Sequence, residues 1–212
     1  MPPLPGNFEP PATPMRRNVA LLLFNEVEVL DFAGPFEVFA VTDELGGHSL
    51  FNVFTVAATP GPVRARNGLV VQPAHTFATA PAADVLIVPG GFGTRALLHE
   101  EPVLTWLRTA AASAEIVMSV CTGAIVLGRA GLLDGLRATT HYACLDLLRT
   151  HAPRATVVPS VRWTDNGKIL TSAGIAAGID CSLHLVGRLL GADTAAATAR
   201  YMEYPLNPSP GL

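Results

Sequence analysis

The stretch MSVCTGAIVL, residues 118–127, sets a cysteine where an apolar, strand-like run gives way to Thr-Gly and then to a helix-like pattern. A small apolar residue would pack that corner equally well, so the thiol is a candidate for chemistry. In an open α/β sheet, ligands bind beyond the carboxyl ends of the strands, where loops vary and helix N-termini direct N–H groups at the site. Cys121 falls at such an end. The positive end of the following helix would favour its thiolate and hence its nucleophilicity. Thr122 and Gly123 allow a sharp turn and can present an amide to negative charge building on a substrate. The serine version of this corner, the nucleophile elbow, has the spacing G-x-S-x-G, which SVCTG matches only in part. The competing reading is a buried cysteine packed as a small hydrophobe, a common fate of free cysteines.

Two further stretches place polar groups at the same end of a sheet. IVPGGFG, residues 87–93, is another strand end running into glycines, and Gly90-Gly91 can bring main-chain N–H groups close to a ligand. An ordinary Gly-Gly turn is the alternative. In VEVLDFAGPFEVF, residues 27–39, Asp31 lies between the first strand pattern and the first helix pattern, where it could also cap that helix just before Gly34-Pro35.

The elements that must position these residues alternate. Short apolar runs at 18–24, 50–58, 84–91 and 115–120 read as buried parallel strands. Between and after them, helical spacing occupies 34–45, 94–113 with a break at Pro102, 122–133 and 142–151. The order predicts a flavodoxin-like, doubly wound α/β fold: a mainly parallel sheet sandwiched by helices. Asn166-Gly167 suits the turn of a small β-hairpin. A last helical stripe runs through Ile175, Ile179, Leu183, Val186 and Leu190 to Gly191.

The 212 residues fit one domain, taken as residues 16–212, behind a Pro-rich segment at 1–15 that reads as disordered. A formal net charge of −3 with 15% charged residues gives no electrostatic footprint for nucleic acid or an anionic membrane, which leaves a small molecule as the expected partner. No apolar run reaches the ~20 residues that cross a bilayer. Arg16-Arg17 before NVALLLF is a poor export signal, since the run is short and Glu26 and Glu28 interrupt it. Three scattered cysteines without CxxC spacing, Cys121, Cys144 and Cys181, read as reduced thiols of a cytoplasmic protein. Cys144 and Cys181 sit within helical patterns, where packing is their expected role. His48, His75, His99, His151 and His184 share no metal-ligand spacing, so no metal is expected.

LDFAGPFEVF, PGGFG, SVCTGAIVLGRAGLLDG, RATTHYA and LTSAGIAAGID, in this order, resemble the DJ-1/PfpI superfamily over about residues 17–205. Within it the chain is most similar to isocyanide hydratases and to the amidase-like sensory half of AraC-type regulators. The resemblance implies a reactive cysteine at Cys121, an acidic hydrogen-bonding partner at Asp31, and main-chain amides at Gly90, Gly91 and Thr122. It also implies a helix passing the cysteine from Gly174-Ile175, with Ile175 facing the substrate, no cofactor, and a homodimer. Protease-like members carry a histidine directly after the cysteine, where this chain has Thr122, and the late His-x-Glu of amidotransferases is absent. Peptidase and glutaminase chemistry are therefore disfavoured.

His141 in RATTHYA stands where many members place a histidine near the thiol, and it is read as structural rather than catalytic. Glu37 is assigned to a helix face, and Trp163 and Phe92 to the core. The leading expectation is an isocyanide hydratase-like lyase with Cys121 as nucleophile, Asp31 as general acid and base, and Thr122 alongside. Alternatives are a glyoxalase III-like or other carbonyl-directed hydrolase, and a non-enzymatic ligand or redox sensor. The ending YMEYPLNPSPGL leaves no room for a helix-turn-helix, so direct DNA binding is not expected.

Overall fold

The computed structural model describes residues 16–206, so the Pro-rich segment at 1–15 lies outside the described residues. In chain order the elements are β1 Arg17–Leu23, α1 Val29–Leu45, β2 Phe51–Ala57, β3 Val63–Arg64, β4 Val70–Val71, β5 His75–Thr76, β6 Val85–Val88, α2 Thr94–Leu97 and α3 Glu101–Ser113. These are followed by β7 Ile116–Val120, α4 Gly123–Arg129, β8 Arg137–Ala138, α5 Leu145–His151, β9 Thr156–Val157, β10 Trp163–Asp165, β11 Ile169–Ser172, α6 Ala177–Leu190 and α7 Ala192–Tyr201. The main sheet has seven strands in the order β10-β11-β7-β6-β1-β2-β5, all parallel except the edge strand β10. Helices α1, α6 and α7 pack together on one face, and α2 to α5 on the other. The mainly parallel, doubly wound architecture follows from sequence pattern: β6 and β7 are buried at every position, as strands covered on both faces must be.

From β1 the chain moves outward to β2, and later returns to β6 on the opposite side of β1. That reversal opens a crevice at the carboxyl ends of β1 and β6, with β7 next in line. The antiparallel bridge between Val27 and Gly91 ties the loop after β1 to the loop after β6. The segments that carry Asp31, Gly90 and Cys121 therefore converge.

Several boundaries differ from the sequence reading. Helix α1 begins at Val29, not Gly34, and carries Pro35 inside it. Asp31 is thus in the first helical turn and caps nothing, because its carboxylate is directed at another loop. Pro35 removes the helical hydrogen bond that would reach the Asp31 carbonyl. Pro102 falls at the start of α3, and separates it from α2 as its missing N–H requires. The hairpin turn centres one residue later than Asn166-Gly167: Asn166 closes it with its N–H on Ile169 O (3.1 Å), and Gly167 takes φ +83°. Helix α7 carries no strong apolar stripe and was not foreseen; its Thr198 hydroxyl meets Thr42 of α1 at 3.0 Å. No helix among the described residues is long and apolar enough to cross a membrane.

Candidate active site

Cys121 follows β7 directly and holds φ +54°, a left-handed conformation that non-glycine residues adopt only when the surroundings enforce it. The enforcement is visible. Its N–H donates to the carbonyls of Ser172 and Ala173 beyond β11 (3.2 and 3.1 Å), and its own carbonyl accepts the Thr140 hydroxyl at 2.7 Å. The residue is only 7% exposed, so it is largely covered by its neighbours. The N–H groups of Thr122 and Ile175 address the sulfur. Ile175 reaches it by adopting φ +54° as well, at the turn entering α6.

Asp31 is fully buried. Its Oδ2 accepts the Gly90 N–H at 2.9 Å, and its Oδ1 has no hydrogen-bond partner among the described residues. Burial pushes its carboxyl up to about 7, with Glu28 adding to the rise and the Gly90 N–H and the Cys121 thiol opposing it. The Cys121 thiol is pushed up to about 12, first by burial and then by the negative charge of Asp31, against the two amides. The thiol and the carboxyl thus sit within interaction range, although no hydrogen bond of standard geometry joins them. Burial and the adjacent carboxylate thus both oppose the thiolate that the N-terminus of the seven-residue helix α4 was expected to favour.

The glycine pair works differently from the expectation that both amides meet the ligand. Gly90 N–H is taken by Asp31, and Gly91 N–H by the Thr122 hydroxyl at 2.9 Å. Neither amide is free for a substrate; each fixes a neighbouring side chain. Gly90 must be glycine for this packing, since a Cβ there would come within 2.5 Å of Thr122 N and 2.8 Å of Asp31 Oδ2. The Thr122 hydroxyl also donates to Gly91 O (3.2 Å) and lies 3.3 Å from Thr94 Oγ1, so it belongs to the loop while its N–H belongs to the sulfur.

His141 does not touch the thiol: its Nδ1 accepts the Ala143 N–H at 3.3 Å, and its ring rests against Gly174. Glu37 is solvent-exposed and Trp163 is in the core, as read. Phe92 is not in the core; it is 62% exposed, with the guanidinium groups of Arg95 and Arg66 at 5.3 and 5.8 Å from its ring. Cys181 is buried in α6 and Cys144 is half-buried, with Arg95 Nη2 at 3.6 Å from its sulfur. Thr140, Glu28 and Arg95 shape the site without having been singled out. Thr140 lay inside the quoted RATTHYA, but nothing in a sequence tells which carbonyl a threonine will reach. Among the described residues no group of three or more His, Cys, Asp or Glu side chains is placed to hold a metal ion.

A doubly wound sheet with a strained cysteine corner opposite a buried carboxyl defines a thiol-centred α/β class. The chain belongs to the DJ-1/PfpI family, whose model matches residues 17–188. It is 40% identical over 191 residues to the isonitrile hydratase of Pseudomonas putida, covering 90% of this chain and 79% of that one. It is also 32% identical to the HTH-type transcriptional regulator GbdR of Pseudomonas aeruginosa over 93% of this chain, but spans only 54% of that regulator. Among solved structures, a ThiJ/PfpI family protein from Pseudomonas syringae superposes with a TM-score of 0.83 at 30% identity, over 98% of this chain and 84% of that one.

Proposed function

We propose that the protein is a cysteine-dependent, isocyanide hydratase-like lyase, acting in the cytoplasm on a small molecule and giving an N-substituted formamide. The observation that carries this reading is the buried Asp31 carboxyl, raised to about 7, in electrostatic contact with the Cys121 thiol. The similarity to an isonitrile hydratase over most of both chains supports it.

An isocyanide carbon is electrophilic yet also accepts a proton. A thiol raised to about 12 supplies little free thiolate at neutral pH, so sulfur attack has to be coupled to proton transfer. Asp31 Oδ1, without another partner among the described residues, takes the thiol proton as the sulfur–carbon bond forms and returns it to that carbon. The product of this step is a thioimidate, R–N=CH–S–Cys121. Water then adds to its carbon with Asp31 as base, the proton so taken passes to the nitrogen, the carbon–sulfur bond breaks as the hydroxyl proton returns to the sulfur, and R–NH–CHO leaves. The Thr122 and Ile175 amides steady the sulfur through both steps, while Gly90 aims the carboxyl. A homodimer, the assembly implied by the family resemblance, is part of the proposal; light scattering at the mass of a single chain would refute it.

A panel of isocyanides and methylglyoxal tests the reading. Formamide formation from isocyanides supports it. Methylglyoxal consumption alone would select the carbonyl-directed alternative, and no turnover of either would favour a sensing role, for which the similarity to GbdR stands as the relevant observation.

A further inference from the structure

A groove of about 400 Å³ is lined in part by Thr140 and Ile175, the residues whose hydroxyl and N–H hold Cys121, while Cys121 itself is not among the lining residues. Much of the remaining lining is apolar, as at Leu145, Val161 and Ala173. Hydroxyls interrupt it at Thr139, Tyr142 and Ser160, and two side chains bring nitrogen donors.

The first is His141. Because its Nδ1 accepts the Ala143 N–H, the neutral ring carries its proton on Nε2 and can donate there. Gly174 fixes the ring in place: a Cβ at 174 would come within 2.3 Å of the imidazole Cδ2. The second is Arg162, which lines the groove. Its Nε and Nη2 both donate to Asp180 Oδ2, and Asp180 Oδ1 accepts the Tyr204 hydroxyl at 3.1 Å. The Asp180 side chain is 2% exposed and that of Arg162 is 24% exposed, so the compensating carboxylate is sealed away while part of the arginine side chain stays open.

Among the described residues no carboxylate side chain lines this groove. A ligand ammonium would face a guanidinium with no anion to meet it. A ligand carboxylate would lose its hydration for a guanidinium whose charge Asp180 already balances. A neutral carbonyl oxygen on an apolar body suits donors of this kind, because it is cheap to desolvate and only accepts.

We infer that the groove holds the N-substituent of an isocyanide bearing a neutral carbonyl oxygen, an ester or an amide, gripped by His141 Nε2–H and Arg162. This substrate class rests on the hydratase reading of Cys121 and Asp31. His141 and Arg162 then set specificity and are not part of the bond-making machinery.

The test compares methyl isocyanoacetate with n-pentyl isocyanide, which are equal in heavy-atom count and differ in the ester. The wild type is expected to favour the ester in kcat/KM by roughly tenfold or more, one or two neutral hydrogen bonds' worth. His141→Leu and Arg162→Met each draw that ratio toward one, mainly through KM. Since Arg162→Met strands a buried carboxylate, the double variant Arg162→Met/Asp180→Asn repeats the measurement without it. Equal handling of the two compounds by the wild type, or a ratio that survives in all three variants, overturns the inference.

Calorimetry with the formamides N-formylglycine methyl ester and N-pentylformamide separates this inference from the hydratase reading. If no isocyanide is consumed but the ester formamide binds better and His141→Leu removes the preference, the groove assignment stands and only the hydratase reading falls. Absent or equal binding of the two formamides, together with no turnover, overturns both.

Discussion

Replacing Asp31 by Asn separates the cost of the buried carboxyl from its use. Asparagine can still accept the Gly90 N–H that now reaches Asp31 Oδ2, so the local geometry has a route to survive. What disappears is the ionisable group, whose value moves from 3.8 to about 7 on burial. Between those values the native chain keeps a proton that the unfolded chain has lost, so stability falls as pH rises through this window and levels off above it. At about 1.4 kcal/mol per pH unit, the ionised carboxylate costs the wild type on the order of 4 kcal/mol once pH exceeds about 7. Asp31→Asn escapes that cost. Urea unfolding of both proteins from about pH 4.5 to about pH 8.5 reads most of it, and the stability difference should shift in favour of the variant by about 3 kcal/mol across the range. A constant offset reports only the change of amide for acid and is subtracted by the slope. Over the same range, wild-type kcat/KM should rise through about pH 7, because the reacting form holds a single proton shared between carboxyl and thiol. The variant should lose this limb together with about 10²–10⁴-fold in rate. A stability difference that does not change with pH, or a variant retaining the wild-type rate and limb, would refute the assignment of Asp31 as the buried acid and base.

Three other perturbations probe the surrounding frame. Gly90→Ala drives a methyl group into Thr122 and Asp31, and should cost about 1–3 kcal/mol in thermal or urea unfolding with a much larger proportional loss of kcat/KM. Thr122→Val leaves the buried Gly91 N–H without its hydroxyl acceptor but keeps the Thr122 amide; a stability loss of about 1–3 kcal/mol should outweigh the change in rate, and a rate loss beyond about 100-fold would place the hydroxyl in the chemistry instead. Iodoacetamide at mildly alkaline pH, followed by peptide mass mapping, should label half-buried Cys144 ahead of Cys121 and Cys181, whose thiols burial pushes up.

The apolar runs that became β1, β2, β6 and β7 were legible because strands covered on both faces leave few polar positions. Their carboxyl ends then put Asp31, Gly90 and Cys121 on one edge, while the pairing of Asp31 with Cys121 came from the family resemblance. The start of α1 was missed because Pro35 resembles a first-turn proline, whereas tertiary contacts at Glu28 and Gly90 carry the helix further back. Helix α7 was missed because its alanines and threonines carry little apolar pattern; α1 and α6 hold it in place. The direction of the glycine amides depends on which side chain lies opposite, and Thr122 and Asp31 approach only in three dimensions. The groups that oppose a Cys121 thiolate leave no sequence signal: helix position is visible in sequence, but the depth of burial and the charge of Asp31 are not. The Arg162–Asp180 pair crosses from the β9–β10 loop to α6 and left no signal at all.

The most direct measurement is formamide formation from an isocyanide by the purified wild type and by Cys121→Ala, followed by proton NMR. Hydration through a sulfur-bound thioimidate predicts turnover by the wild type and a loss of at least about 10³-fold in the variant. Comparable rates from the two proteins, or no formamide from the wild type with its Cys121 shown by mass to be reduced, would contradict it.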